Sequence, residues 1–476
     1  MKKIAIVMYD YWLGSSLSLI SCATSFAKEG YDVHIFIDSF IYQLSRASFD
    51  EDNISVHPID IQADPRVDHI TNKATSERWN AFIANTLAAL GDRMWGGRVL
   101  YRTLRVMESS KPNHAIQSLR YAFHAQAFSI PSIDTVERCA RRFFPFIVEF
   151  SQKVAGHVDD EFVCFVGVEP FGLIAATLAA NASKHEKDIP VIYYNQELLL
   201  ERECHTFASK ALKALERICN QTCSFTIIQD ERRAKYLRDD NDLKPESIIC
   251  VPVSGLQKAH RGKGSLLQDM YGIPREKKVL LYAGYFAEWG MCVEMAQAAQ
   301  TWNDDFVLVL HSWREDARDH PYVNRIRKLT DSNKVYLSLA QLDWQKMPDL
   351  LSSADIGLVF YQNLGPNFYE IGHSSNKLVQ YLQAGLPVIT SDFPSLRDVV
   401  YKYQCGECAK DLNDIAHLAE TILEDYERYR ANAFRCYENE FTFSKYFKKV
   451  IERIREIEAQ HSRAGNSSQP TVTDRG

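Results

Sequence analysis

No run of about 18 apolar residues occurs in the 476-residue sequence, which excludes a helix that crosses a bilayer. An excess of basic charge is missing too. The 55 lysines and arginines stand against 61 aspartates and glutamates, a net charge of −6, so the chain is not built to coat nucleic acid by neutralising phosphates. A disulfide framework is also absent, because the 11 cysteines are odd in number and scattered, as reduced core thiols are. Cys405 and Cys408 have C-x-x-C spacing and Cys219 and Cys223 lie four apart, but no second C-x-x-C and no flanking histidine completes a zinc site. Core thiols beside a turn at Gly406 are the better reading. The dinucleotide fingerprint G-x-G-x-x-G is missing as well: the loop after the first apolar run reads YDYWLGSS. A signal peptide is not expected, since Tyr9 and Asp10 cut the opening apolar run short. That run reads as a buried strand, and the protein as cytoplasmic.

What is present is hydrophobic content of 46% with 24% charged residues, the composition of a soluble globular protein. At roughly 150 residues per domain the length suggests two or three units. Apolar β-rich runs alternate with helical stretches, which predicts parallel sheets covered by helices. The first half offers strands at Ile4–Met8, Val33–Ile37, Ile54–His57, Phe162–Val166, Val191–Tyr194, Phe225–Ile228 and Ile248–Val251. The second offers Val279–Ala283, Phe306–His311, Val335–Leu337, Ile356–Phe360 and Pro387–Thr390. The polar stretch SGLQKAHRGKGS, residues 254–265, reads as a linker. It separates a first domain, 1–253, from a second, 266–440. A helix over 441–459 carries one apolar stripe (Phe447, Val450, Ile451, Ile454, Ile457) and is expected to dock back on the first domain. Residues 460–476 have too little apolar surface to offset ordering entropy and read as a disordered tail.

Residues 89–149 depart from the alternation. Arginines from Arg93 to Arg142 are interleaved there with aromatics from Trp95 to Phe146. Two readings stand: helices resting peripherally on an anionic membrane surface, or a helical insertion whose aromatics face the core.

Ligands on doubly wound sheets sit beyond the carboxyl ends of the strands. In the second half a strand ending near Phe360 leads through a loop to SSNKLVQYLQAG. Ser374 or Ser375 is a fitting N-cap, and the free amides of that first turn, the helix dipole and Lys377 can bind a diphosphate. Gly385 suits the left-handed C-cap, and PVIT then forms a strand with Ser391 at its end.

The run SNKLVQYLQAGLPVITSDFPSLRDVV and the preceding LAQLDWQKMPDLLSSADIGLVFY resemble the donor-site region of the retaining GT-B glycosyltransferases that use nucleotide sugars (glycosyltransferase family 4-like, group 1). The likeness extends over roughly residues 279–400. It implies an α/β fold of two Rossmann-like doubly wound domains facing across a cleft. It also implies a metal-independent, hexosyltransferase-like reaction that retains the anomeric configuration, with no cofactor besides the nucleotide-diphosphate sugar. The match places Ser375, Asn376 and Lys377 by the diphosphate, Gln380 by the ribose, Gly372 where the family carries an acidic residue near the sugar, and Gln341 in the loop beside the base. Gln380 departs from the family's glutamate, and an amide supplies one accepting oxygen where a carboxylate supplies two. Glu370, two residues before Gly372, is the nearest substitute. In YAGYFAEWG the turn glycine is Gly284, but Phe286 and Trp289 stand near where the family often has arginine and lysine. His311 and Arg314, after the next strand, are the possible helpers.

In the first domain Gly14 opens a strand-to-helix loop near the donor. Glu169, Asn195 and Glu197 follow strands on the acceptor side; the two carboxylates are candidates for activating the acceptor or stabilising the leaving group, although each can equally cap the next helix. The expected partners are a nucleotide sugar and a glycan or lipid-linked acceptor in cell-surface polysaccharide or glycolipid assembly. Two other readings share the fold: a nucleotide-sugar epimerase, and a non-catalytic GT-B-like binding protein.

Overall fold

The computed structural model describes residues 1–62, 133–183, 189–312, 321–330, 333–340, 342 and 346–467. Most of the 89–149 segment therefore lies outside the described residues. Within its described end, Phe144 and Phe146 are buried in the first-half core, so the aromatics there face inward.

Among the described residues the strands form two wholly parallel sheets. The first joins β1 (Lys3–Met8), β2 (Asp32–Asp38), β3 (Ile54–Ile59), β4 (Phe162–Val168), β5 (Val191–Tyr194), β6 (Phe225–Ile228) and β7 (Ile248–Cys250) in the order β3-β2-β1-β4-β5-β6-β7. The second joins β8 (Lys278–Ala283), β9 (Phe306–His311), β10 (Val335–Ser338), β11 (Ile356–Val359), β12 (Val388–Ser391) and β13 (Gly406–Ala409) in the order β10-β9-β8-β11-β12-β13. Strands such as IAIVM and VLLYA are buried on both faces, which is why they read as continuous apolar runs without alternation. In each sheet the order in which strands are added reverses once, between β1 and β4 and between β8 and β11. Those reversals open the crevices where α/β sheets take ligands.

β13 is the one strand of these that the apolar pattern did not reveal. Its sequence GECA lies at a sheet edge, and a Cβ on Gly406 would stand 2.0 Å from the Val388 carbonyl, so only glycine lets the strand pair with β12. Cys405, just before it, and Cys408, within it, have separate partners, the Val400 carbonyl and the Thr390 hydroxyl.

Six helices position the features discussed below: α1 (Leu17–Lys28), α2 (Glu169–Ala182), α3 (Glu231–Asn241), α4 (Cys292–Ala299), α5 (Asn376–Gln383) and α6 (Phe443–Ser467). Residues 254–265 are laid along the second half. The His260 amide donates to the Gln383 carbonyl (2.8 Å), the Gly264 amide to Ser352 (3.2 Å), and the Tyr437 hydroxyl to Gln257 (2.6 Å). Its polar backbone groups thus find partners, where a free tether would leave them to water.

α6 returns to the first half. Phe443, Phe447, Val450, Ile451, Ile454 and Ile457 join the core formed by Ile4, Leu19, Phe26 and Val33, and Arg455 pairs with Glu29 at 2.5 Å. The helix continues to Ser467, past Ala459 where the apolar stripe ends. Residues beyond it lie outside the described ones.

Phe447 is 1% exposed and meets Phe26 edge-on with centroids 5.1 Å apart. Phe447→Ala is expected to lower unfolding free energy by about 3–5 kcal/mol, measured by urea denaturation.

Candidate active site at the seam of the two halves

Lys377 is the first charged group of α5, and Ser375 caps that helix by accepting from the Leu378 amide at 3.2 Å. The Ser375 hydroxyl also meets the Tyr361 hydroxyl at 2.9 Å, which ties the helix start to the end of β11. The lysine side chain turns into the β8–β11 crevice. Its ammonium lies 4.1 Å from the ring centroid of Tyr361, 4.9 Å from Tyr282 and 5.2 Å from Trp289. It is only 7% exposed and has no carboxylate partner among the described residues. Gly284 makes this approach possible: a Cβ there would stand 3.2 Å from Lys377 Cδ and 3.5 Å from Nζ. Trp289, one of the two aromatics that stand where a basic pair was expected, thus joins Tyr282 and Tyr361 in holding the remaining cation by its attraction to π faces. Asn376 is exposed on the same turn, and Gln380, one turn on, is half-buried.

Three expected donor contacts are placed differently. The Gly14 amide is taken by Ser45, donating to its carbonyl at 3.1 Å and its hydroxyl at 2.9 Å, and a Cβ on Gly14 would meet the Arg46 carbonyl at 2.1 Å. Its glycine serves that close packing, and its amide is not free for phosphate. His311 is fully buried. Its Nδ1 lies 2.8 Å from the Ser338 hydroxyl, and burial pushes its pKa down to about 4, so it is neutral near pH 7 and brings no positive charge to a phosphate. A Cβ on Gly372 would lie 2.2 Å from the Ser395 carbonyl, so the strand of loop that elsewhere carries an acid is here pressed against backbone. Glu370 does not fill that gap. Its carboxylate turns to Arg232 of α3 at 3.7 Å, and burial holds its pKa above the usual carboxylate range. Arg314 and Gln341 lie outside the described residues.

On the opposite side Glu169 closes β4 with φ at 60°, a left-handed conformation that a side chain of this kind rarely adopts. The turn is forced: a Cβ on Gly167 would meet Leu173 Cα at 2.5 Å, and one on Gly172 the Val7 carbonyl at 2.5 Å. One oxygen of Glu169 accepts from the Gln196 amide at 2.5 Å and the Glu197 amide at 3.0 Å. Burial and the neighbouring Glu197 carboxylate hold the Glu169 pKa well up. Its geometry makes it the anchor of the loop after β5 and not a group facing the cleft. Asn195 is likewise fully buried, donating to the Tyr193 hydroxyl and the Glu197 carbonyl. Glu197 is the carboxylate these two present. Its side chain is 61% exposed, yet it stands against a protein wall that desolvates it and raises its pKa, with Arg233 opposing that rise. Tyr11, from the loop after β1, belongs to the same group: burial first, then Glu197 and Glu169, keep its hydroxyl protonated.

Sequence reasoning missed the residues that join the halves. Arg233 of α3 is 0% exposed and donates to the Gln196 carbonyl (2.7 Å), the Asn367 side-chain oxygen (2.9 Å), and the Asn367 carbonyl and Ser374 hydroxyl (both 3.3 Å). Asn367 also accepts from the Leu198 amide at 2.7 Å and donates to the Leu198 carbonyl at 2.9 Å, as a paired strand would. Arg233 stands in the run DERRAKYLRDDND, which looks like a solvated helix face. Only its offset relative to Ala234 and Leu237 hinted at an inward side.

His373 sits beside this clamp, 3.6 Å from Asp230 and 3.1 Å from Glu440, which in turn binds Lys402 and the Tyr403 hydroxyl. Burial lowers its pKa, but the two carboxylates outweigh that and raise it to about 9. Asp230 and Glu440 are held below the usual range. Because the histidine pKa is raised on folding, its contribution is complete below about pH 6.5 and is lost as pH climbs through 9. The carboxylate contribution is present above about pH 4 and is lost as pH falls. The stability gap between wild type and His373→Gln is expected to be on the order of 2 kcal/mol at pH 6 and to close above pH 9, read from urea midpoints across pH.

Among the described residues no group of three or more His, Cys, Asp or Glu is arranged to hold a metal ion. Residues 300–454 match the family model of the glucosyltransferase 3-like C-terminal domain. No curated protein matches the sequence. Among solved structures, HepE of Anabaena in complex with UDP and glucose is similar with a TM-score of 0.57 at 13% identity, covering 98% of this chain and 100% of that one. Sucrose-phosphate synthase from Thermosynechococcus elongatus reaches 0.59 at 12% identity, covering 97% and 100%. WaaG, a glycosyltransferase involved in lipopolysaccharide biosynthesis, reaches 0.55 at 11%, covering 95% and 99%. At these identities the likeness is one of fold: the chain has the GT-B fold.

Proposed function

We propose that this protein transfers a sugar from a nucleoside-diphosphate sugar to an acceptor hydroxyl held between its halves. One observation carries the reading: an ammonium without a carboxylate partner among the described residues, at the first turn of a capped helix, in the crevice where the second sheet reverses. Such a cation is available to a diphosphate, and its charge is met by dispersed π faces that a ligand oxygen easily outcompetes.

In this reading the diphosphate lies against the first turn of α5, with Lys377 and the amides after Ser375 facing it. As the anomeric bond breaks, negative charge grows on the leaving phosphate, and the fixed ammonium and helix dipole stabilise it without rearranging. That arrangement supports a metal-independent transfer. Gln380 meets the ribose with one accepting oxygen. The acceptor comes from the first half, where Glu197 faces the cleft with its pKa raised toward that of a general base, Glu169 fixes its loop, and Tyr11 lines the wall. Retention of configuration follows the family likeness. Since HepE holds UDP and UDP-glucose, the first donor to try is UDP-glucose.

Lys377→Ala is expected to weaken UDP binding by about tenfold or more and to cut turnover further, with the fold unchanged by circular dichroism. Calorimetry with UDP and the release of UDP from UDP-sugars measure the two effects. Unaltered affinity and rate would remove Lys377 from the site. Conversion of the donor to an epimer with no acceptor consumed would replace transfer by epimerisation.

A further inference from the structure

The loop after β5 leaves the sheet, so its backbone polar groups must be partnered one by one. Residues of the first half serve most of them. The Asn195 amide donates to the Ile227 carbonyl (2.9 Å), and the Asn195 carbonyl accepts from Gln229 (2.6 Å). The Gln196 and Glu197 amides both donate to Glu169, the Gln196 carbonyl accepts from Arg233 (2.7 Å), and the Glu197 carbonyl accepts from the Asn195 side chain (2.9 Å). Leu198 comes next and is only 4% exposed. Both of its backbone groups are served from the other half: the amide donates to Asn367 Oδ1, and the carbonyl accepts from Asn367 Nδ2.

Asn367 reaches Leu198 on a projecting turn. Gly365 stands at φ 124°, a conformation that favours glycine, and opens the single helical turn Pro366–Tyr369. A Cβ on Gly365 would lie 2.7 Å from Oε1 of Glu203, farther along the same first-half loop, so the turn meets that loop at two places. Arg233 then binds what has entered, donating to the side-chain oxygen and the carbonyl of Asn367. We infer that Gly365–Asn367 is a catch between the halves and Asn367 a positioning residue, because its side chain completes the loop that carries Glu197 only when the halves are closed. Parting the halves leaves the Leu198 amide and carbonyl to water. The segment that carries Asn367 runs on through Ser374 to the start of α5, so seating one side chain sets Glu197 and the Lys377 helix together. The effect on turnover rests on the transferase reading; the catch itself does not.

The test compares the full chain with Asn367→Ala and Asn367→Asp, the aspartate keeping an accepting oxygen and losing the NH2 that donates. Hydrogen exchange reads the peptide that contains Leu198, small-angle X-ray scattering reads the spread of the halves, and calorimetry with UDP and UDP release from UDP-sugars read the site. For Asn367→Ala, exchange at Leu198 is expected to quicken and turnover to fall, each by about tenfold or more, with a larger radius of gyration and UDP affinity within about twofold of wild type. Asn367→Asp is expected to lie between the two. Wild-type exchange at Leu198, unchanged scattering, or a loss of UDP affinity as large as the loss of turnover would overturn the inference. If wild type itself releases no UDP from any UDP-sugar, the transferase reading falls, and exchange and scattering still decide the catch.

Discussion

Among the contacts between the two halves is a fully buried guanidinium whose hydrogen-bond partners are neutral oxygens. Arg233 donates to carbonyls, an amide and a hydroxyl, and the nearest carboxylate, Glu197, stands 3.9 Å off. A charge so placed is expensive to bury, and it is tolerated only while several dipoles surround it. The partners come from both sides of the seam: Gln196 from the loop after β5, Asn367 and Ser374 from the loop that leads into α5. Solvating this cation therefore helps to fix the Lys377 helix relative to Glu197, together with the Asn367–Leu198 bonds and the Asp230–His373 pair.

The same economy of charge recurs at Lys377. An ammonium held by three rings is neither neutralised nor exposed to bulk water, which leaves its field directed into the crevice. A carboxylate partner would have fixed the lysine more strongly and removed its value to an anion. The strained Glu169 turn is the counterpart in the first sheet: two glycines and a left-handed residue place a carboxyl where it fixes the backbone that carries Glu197.

Much of the fold was legible because doubly buried parallel strands are written as contiguous apolar runs; FVLVLH and VIYY appear in the structure with the bounds expected of them. The missed strand, GECA, has no such run, since its pairing depends on a glycine fitting against a carbonyl. The helix start at Ser375 and Lys377 was legible from capping chemistry. The environment of Lys377 was not, because Tyr282, Trp289 and Tyr361 are up to 95 residues away in the chain and converge only through sheet order. Gly14 was read as part of a loop whose amides approach the donor, whereas its lack of a side chain admits the Arg46 carbonyl and its amide is taken by Ser45. Arg233 left only the faint hint of its place beside Ala234 and Leu237, and Asn367 none, since a residue buried by a contact between halves carries little periodic signature of its own.

The chain crosses between the halves at Val253 and again between Glu440 and Phe443, and both crossings touch the same residue. The His373 carbonyl accepts from the Val253 amide at 2.8 Å, and its ring bonds Glu440 and lies 5.6 Å from the Phe441 ring. Two bodies joined by two threads through one point can turn about that point but cannot slide past each other. A rotation of one half about His373 would therefore strain these two crossings least, and the distance a side chain would travel grows with its separation from that point.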